Sequence, residues 1–237
     1  MKKYLLAIIA FTFITGCATL PGPVEEQYLA DKTEKDSKRL EQIETEIIAK
    51  NREKLAAEQN RRENTPDIER TEEELDLLLR ENKLLKDQLE LYTKSKDARN
   101  IEIKKEELAD NDLKIKKHRN LLKYQEAQKN LLAADAELKN AKLAVLVAQL
   151  NYEKAEIAKV YREKNEPAVE PEKKGLKGFF SSFSKKDHED RFGYKKYSVH
   201  LEKMKKEQEK SLKKYNEAKA AYDAAEKNLN TLSVEAK

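Results

Sequence analysis

The chain has 237 residues, 40% of them charged, with 49 Lys and Arg against 45 Asp and Glu, no Trp, and only five Gly and five Pro. The signs are interleaved rather than gathered on one stretch, which argues against nucleic-acid binding, whose footprint is a basic face. High charge alone would suit disorder, but Ala, Leu, Glu, Lys and Gln recur at heptad spacing, the pattern of long helices burying a narrow seam.

The first predicted element is a secretory signal over residues 1–16. Lys2 and Lys3 precede an apolar run, Tyr4 to Ile14, too short to span a bilayer as a stable helix. It ends in Ile14-Thr15-Gly16-Cys17, which resembles the lipobox of bacterial lipoproteins. That resemblance implies cleavage before Cys17, acylation of its thiol and attachment to the membrane through the acyl chains. Cys17 is the single cysteine of the chain, so no intrachain disulfide competes for it. The residue after it is Ala18 rather than an aspartate. Among lipoproteins of Gram-negative bacteria this resemblance favours the outer membrane with the body in the periplasm, the cell surface being the alternative. No second apolar segment of spanning length follows.

Residues 17–24 form a tether, because Leu20-Pro21-Gly22-Pro23 cannot be helical. A first helix is expected over 25–63, with Leu29, Leu40, Ile43, Ile47, Ile48 and Leu55 as its sparse apolar positions. Asn64-Thr65-Pro66-Asp67 interrupts it, with Thr65 as expected N-cap and Pro66 as first helical residue of the next helix. The chain is expected to fold back there, laying the first helix on the early part of a long central helix over 66–164. Leu75, Leu78, Asn82, Leu85, Leu89 and Tyr92 occupy its a and d positions. The same register resumes as Tyr124, Ala127, Leu131, Ala134, Leu138, Ala141, Val145, Ala148, Tyr152 and Ala155. Between them Lys96, Arg99, Glu106, Asp110 and Lys117 fill the register, while Ile101, Leu108, Ile115 and Leu122 form a stripe on another face. The middle of this helix is therefore expected to face a different partner, to bend or to break, a hinge being placed near 96–120 with Asp110-Asn111-Asp112 the weakest helical point. Residues 141–150 are apolar around most of the helix and require more than one neighbour.

A return helix over 194–233 continues the pattern: Tyr194, Tyr197, Leu201, Met204, Gln208, Ser211, Tyr215, Ala218, Tyr222, Ala225, Leu229 and Leu232. Large and small residues alternate in both late seams, which suits closely approached antiparallel helices. The fold expected is all-α: an elongated antiparallel coiled coil, or helical hairpins around one long central helix. The alternative pairs each seam with a second copy, so a homo-oligomer stays open. Asn82, flanked by Glu81 and Lys86, fits the polar layer of a parallel dimer, or equally a contact with the first helix of its own chain.

The segment 165–193 breaks the pattern. Asn165 to Glu172 is a stiff linker with two prolines. Then Lys173, Lys174, Leu176, Lys177, Phe179, Phe180, Phe183, Lys185 and Lys186 bring bulky apolar groups between lysine pairs. Such a loop over 173–192 suits a groove on an envelope protein or an anionic lipid surface. It also suits tucking back over the end of the helices. Asp187-His188-Glu189-Asp190 sets carboxylates beside an imidazole, but four consecutive residues rarely converge on one metal. No phosphate loop, paired-histidine motif or nucleophile elbow occurs, so no catalytic residue, metal or cofactor is expected.

An acylated cysteine, a helical body and the last residue Lys237 together look like the murein-linked lipoproteins of enteric bacteria, and that resemblance implies attachment to the wall through Lys237. The function expected is a lipid-anchored scaffold or tether of the bacterial envelope, a helical rod holding its Phe/Lys loop some distance from the membrane for a partner. The alternatives are a surface lipoprotein binding host molecules, or an accessory subunit of an envelope transport machine.

Overall fold

The chain is all-α. In the computed structural model the described residues are 23–30, 32–165 and 192–235, and no strand occurs among them. A short 3-10 turn, Glu26–Leu29, is followed by α1 (Glu34–Asn64), α2 (Ile68–Ser95), α3 (Ala98–Asn165) and α4 (Tyr194–Glu235). Among the described residues no helix is long and apolar enough to cross a membrane.

The helix starts follow local chemistry. Thr33 and Asp36 cap α1 reciprocally: the Asp36 carboxylate accepts from the Thr33 N–H (3.1 Å) and hydroxyl (2.6 Å), and Thr33 Oγ1 accepts from the Asp36 N–H at 3.2 Å. These bonds hold the Asp36 carboxyl below its ordinary range. α2 starts two residues later than expected. Its cap is Asp67, which accepts from the Arg70 N–H at 3.1 Å, while Thr65 donates its hydroxyl back to the Arg61 carbonyl and finishes α1.

No single helix runs over 66–164. The chain stops at Ser95 and restarts at Ala98. Lys96 turns left-handed (φ 58°), and the Lys96 and Asp97 N–H groups donate back to Thr93 and Tyr92 carbonyls at 3.2 and 3.1 Å. This is the two-bond C-terminal cap that glycine usually completes. Asp97 at once caps α3, its carboxylate accepting from the Asn100 N–H at 3.2 Å. Two residues thus end one helix and start the next. The Asp110-Asn111-Asp112 triplet, by contrast, lies inside α3.

The chain forms two compact units, one of residues 1–45 and 146–203, the other of 46–145 and 204–237. In the first, Leu40, Ile43, Ala148, Ala155, Ala158, Tyr197 and Leu201 are buried. Arg39 pairs with Glu153 at 2.5 Å and Lys154 with Glu44 at 3.3 Å. Glu153 is 4% exposed; burial pushes its carboxyl above the usual range and Arg39 partly draws it back.

In the second unit the buried residues include Ile47, Ala57, Leu85, Ile115, Ala134 and Leu138. Ile48 and Leu55, expected apolar positions of the first helix, stay exposed, and the small Ala57 is covered instead. Glu53 of α1 meets Lys139, Glu74 of α2 meets His118, and Glu81 meets Asn111. From the first pair to the second is twenty-one residues forward on one side and twenty-one back on the other; from the second to the third is seven against seven. In this unit α1 and α2 therefore follow α3 in one register. The expected fold-back at Pro66 does not occur, because the reversal happens at Lys96-Asp97. It is α2, not the first helix, that lies on the early part of α3.

Asn82 is committed within the chain. Its side-chain N–H groups donate to Asn111 Oδ1 (3.2 Å) and Asp112 Oδ1 (2.7 Å), and the Asn111 amide donates to Glu81 Oε2 at 2.9 Å. Asn111 is 2% exposed, so this is a satisfied buried polar layer. It removes the reason for placing Asn82 in a parallel dimer, and its partner is α3 rather than the first helix. On α4 within this unit, Met204, Gln208, Ser211, Tyr215, Ala218, Tyr222, Ala225 and Leu229 are the covered side chains through Thr231. Tyr222 and Tyr124 share a hydroxyl hydrogen bond of 2.9 Å, and Lys214 donates to Glu137 at 2.8 Å.

Candidate functional site

The sequence-derived site residues lie outside the described residues: Cys17, and Lys173, Lys174, Leu176, Lys177, Phe179, Phe180, Phe183, Lys185 and Lys186 of the loop, with the Asp187–Asp190 cluster and Lys237. What is described is the ground from which both segments depart, in the first unit.

Tyr28, in the 3-10 turn Glu26–Leu29, meets two aromatic rings. Its ring centre is 4.7 Å from Phe192 and 6.1 Å from Tyr161, both edge-on, the arrangement that aromatic quadrupoles favour. Tyr161 belongs to the last turn but one of α3, and Phe192 is the residue at which the described chain resumes. The 3-10 turn, the end of α3 and the start of α4 are thereby gathered at one place. Gly193 follows Phe192, buried and at φ 66°, a conformation a side chain would strain, and its carbonyl accepts the Tyr197 N–H at 2.8 Å to start α4.

The neighbouring layer is phenolic. The Tyr152 and Tyr194 hydroxyls share a hydrogen bond of 2.6 Å with ring centres 5.0 Å apart, and the Lys159 ammonium stands 5.1 Å over the Tyr194 ring. The bond to Tyr194 pushes the Tyr152 phenol up to about 12, and burial raises that of Tyr197, which is 3% exposed. Raised phenols are kept protonated, so at neutral pH these hydroxyls work as donors and packing groups rather than as bases.

Among the described residues no three metal-ligating side chains gather. An open groove of about 650 Å³ in the second unit is lined by alanines, among them Ala127, Ala134, Ala218, Ala221 and Ala225, together with Asn, Lys and Glu side chains that include the Glu137–Lys214 pair. It carries no nucleophile held by a base. The His118 ring donates from Nδ1 to the Lys114 carbonyl (3.0 Å) and lies 3.6 Å from Glu74, a helix-surface contact.

The sequence-derived site residues include neither Phe192 nor Tyr28. No spacing rule could have joined them, since their contact crosses most of the chain; the only signal was an aromatic residue isolated between a proline-rich tether and a charged helix. Comparison with known proteins gives no match with a protein family, a curated protein or a solved structure.

Proposed function

We propose that this chain is a non-catalytic, lipid-anchored helical scaffold of a bacterial envelope, its body an antiparallel coiled coil of helical hairpins, presenting the Phe/Lys loop to a protein partner beside the membrane. The observation that carries the reading is the Tyr28–Phe192 contact. Tyr28 is eleven residues from Cys17, a span of at most about 40 Å even fully extended. An acyl anchor on Cys17 would therefore hold the base of the loop close to the bilayer. This differs from a loop carried far from the membrane on the tip of a rod. The opposed pairing of α1, α2 and α4 with α3 supports the hairpin body, since each contact pair runs backwards on its partner.

A photoreactive residue at position 180, irradiated in cells, is expected to capture a defined envelope protein. Cys17→Ser is expected to leave an unprocessed precursor and abolish that capture. Mature chain that partitions into the aqueous phase of a detergent extraction would sink the anchor, and capture unchanged by Cys17→Ser would sink the link between anchor and loop.

The same contact favours a second target, the anionic membrane surface itself, because a loop based there is within reach of head groups. Binding of the full chain to anionic vesicles should then weaken with salt, as screened lysine attraction requires. Replacing Phe179, Phe180 and Phe183 by Ser should weaken it further with helicity unchanged. No binding at low salt would leave the protein partner alone.

A further inference from the structure

Leu77, Leu84 and Leu91 stand seven residues apart on α2, exposed by 63%, 57% and 65%. No other large apolar side chain described in the second unit is so open. Scattered exposed leucines need no explanation; three in one heptad position do. α2 already spends a different face on α3, through Asn82 and Leu85. At 3.6 residues per turn the leucine stripe lies roughly 130° around the helix from the centre of that seam. A stripe repeating every seven residues matches a second helix lying nearly parallel to the first.

The charges beside the stripe select the occupant. Glu73, Arg80, Asp87 and Lys94 form their own seven-spaced row next to the leucines, all exposed, with signs alternating. In a parallel, in-register pair the two copies of this row would lie on opposite flanks of the seam and could not meet. In an antiparallel pair turned about Leu84, Leu77 meets Leu91, Leu84 meets itself, Arg80 meets Asp87 and Glu73 meets Lys94. The row is complementary to its own reverse. Arg80 and Lys94 now pair with Asp76 and Glu90 of the same helix at 2.5 and 2.6 Å, but every partner is more than half exposed. Such pairs contribute little and exchange readily.

We propose that the leucine stripe of α2 seats a second copy of this chain, antiparallel about a two-fold axis through Leu84. The interface is isologous, as most homodimers are. It uses the face opposite the Asn82 layer, so dimerisation and the internal packing of α2 on α3 do not compete.

The test uses the full chain carrying Cys17→Ser, which leaves no native thiol. Leu84→Cys is expected to form a disulfide-linked dimer under mild oxidation. Leu77→Cys alone should not, since two copies of residue 77 would stand about 21 Å apart along the axis at 1.5 Å per residue. Leu77→Cys mixed with Leu91→Cys should link. Arg80→Glu should weaken the uncrosslinked dimer about tenfold in sedimentation, and Arg80→Glu with Asp87→Arg should restore it. Circular dichroism should be unchanged throughout, these side chains being exposed. Self-linking of Leu77→Cys would mean a parallel pair and overturn the proposal. So would a Leu84→Cys chain that stays monomeric, or one linking only to other proteins in cells. Failure of the double charge reversal to restore what Arg80→Glu lost would equally contradict it.

Discussion

Two stretches of α3 in the second unit make different uses of the same helix. From Ala98 to His118 its covered positions form one stripe, with Ile101, Leu108, Asn111 and Ile115 facing α2. From Tyr124 to Val145 most side chains are at least half covered, because α1 and α4 both lie against it. The first stretch tolerates charge around most of its circumference and a buried asparagine in its seam. The second is built from Ala, Leu, Val and paired Tyr, whose alternation lets two neighbours approach at once. The number of neighbours, rather than helix propensity, decides which residues each stretch carries, and the buried polar layer fixes register where apolar area is smallest.

The sharpest break in that contrast is a charge placed where helices close in. Ala148, further along α3 and 1% exposed, replaced by Glu should cost about 2–4 kcal/mol in chemical denaturation. Glu106→Ala on the open side of the early stretch should stay within about 0.5 kcal/mol. Next comes the polar layer. Asn82→Ala strands Asn111 and should cost about 1–3 kcal/mol, whereas Asn82→Leu with Asn111→Leu should come close to wild type. A double mutant as damaged as the single would show that the layer stabilises rather than merely orients.

The tyrosine pairs should make the later stretch sensitive to alkali. Tyr222, hydrogen-bonded to Tyr124, has its phenol pushed up to about 12, as has Tyr152 beside Tyr194. A folded pKa raised above the ordinary value of about 10 stabilises the fold fully below pH 10. That contribution is lost as pH rises towards 12. Melting temperature followed against pH should fall across this window, and Tyr222→Phe should flatten part of the fall. The smallest effect expected is at the reversal: Lys96→Gly should raise stability by about 0.5–1 kcal/mol, since glycine takes φ 58° without steric cost.

Much of this was readable from spacing. The covered face of α2, through Leu75, Leu78, Asn82, Leu85, Leu89 and Tyr92, coincides with the heptad positions, as does that of α4 from Tyr194 to Leu229. The division of α3 was visible in the shift of its apolar stripe from Ile101, Leu108 and Ile115 to the Tyr124 seam. The turn at Lys96-Asp97 falls at the start of the expected hinge range 96–120, but its exact place and the reversal there were not legible, because its left-handed position holds a lysine where glycine would have announced it. Nor was the continuity of α1 into α2, since Pro66 marks an interruption without saying whether the chain reverses. Of the candidate site, Cys17 and the loop rest on motif and composition, while Tyr28 and Tyr161 acquire meaning only through a contact that no periodicity encodes.

The central claim is that anchor and loop belong to one place, and it can be measured directly. In the acylated chain Phe180→Cys supplies the only free thiol, and a fluorophore there reports its distance from vesicles containing quencher-labelled head groups. The account predicts strong quenching that disappears in the unacylated chain and falls when Tyr28 and Phe192 are both replaced by Ala. Fluorescence from the acylated, vesicle-bound chain that is as bright as in the absence of quencher would contradict it.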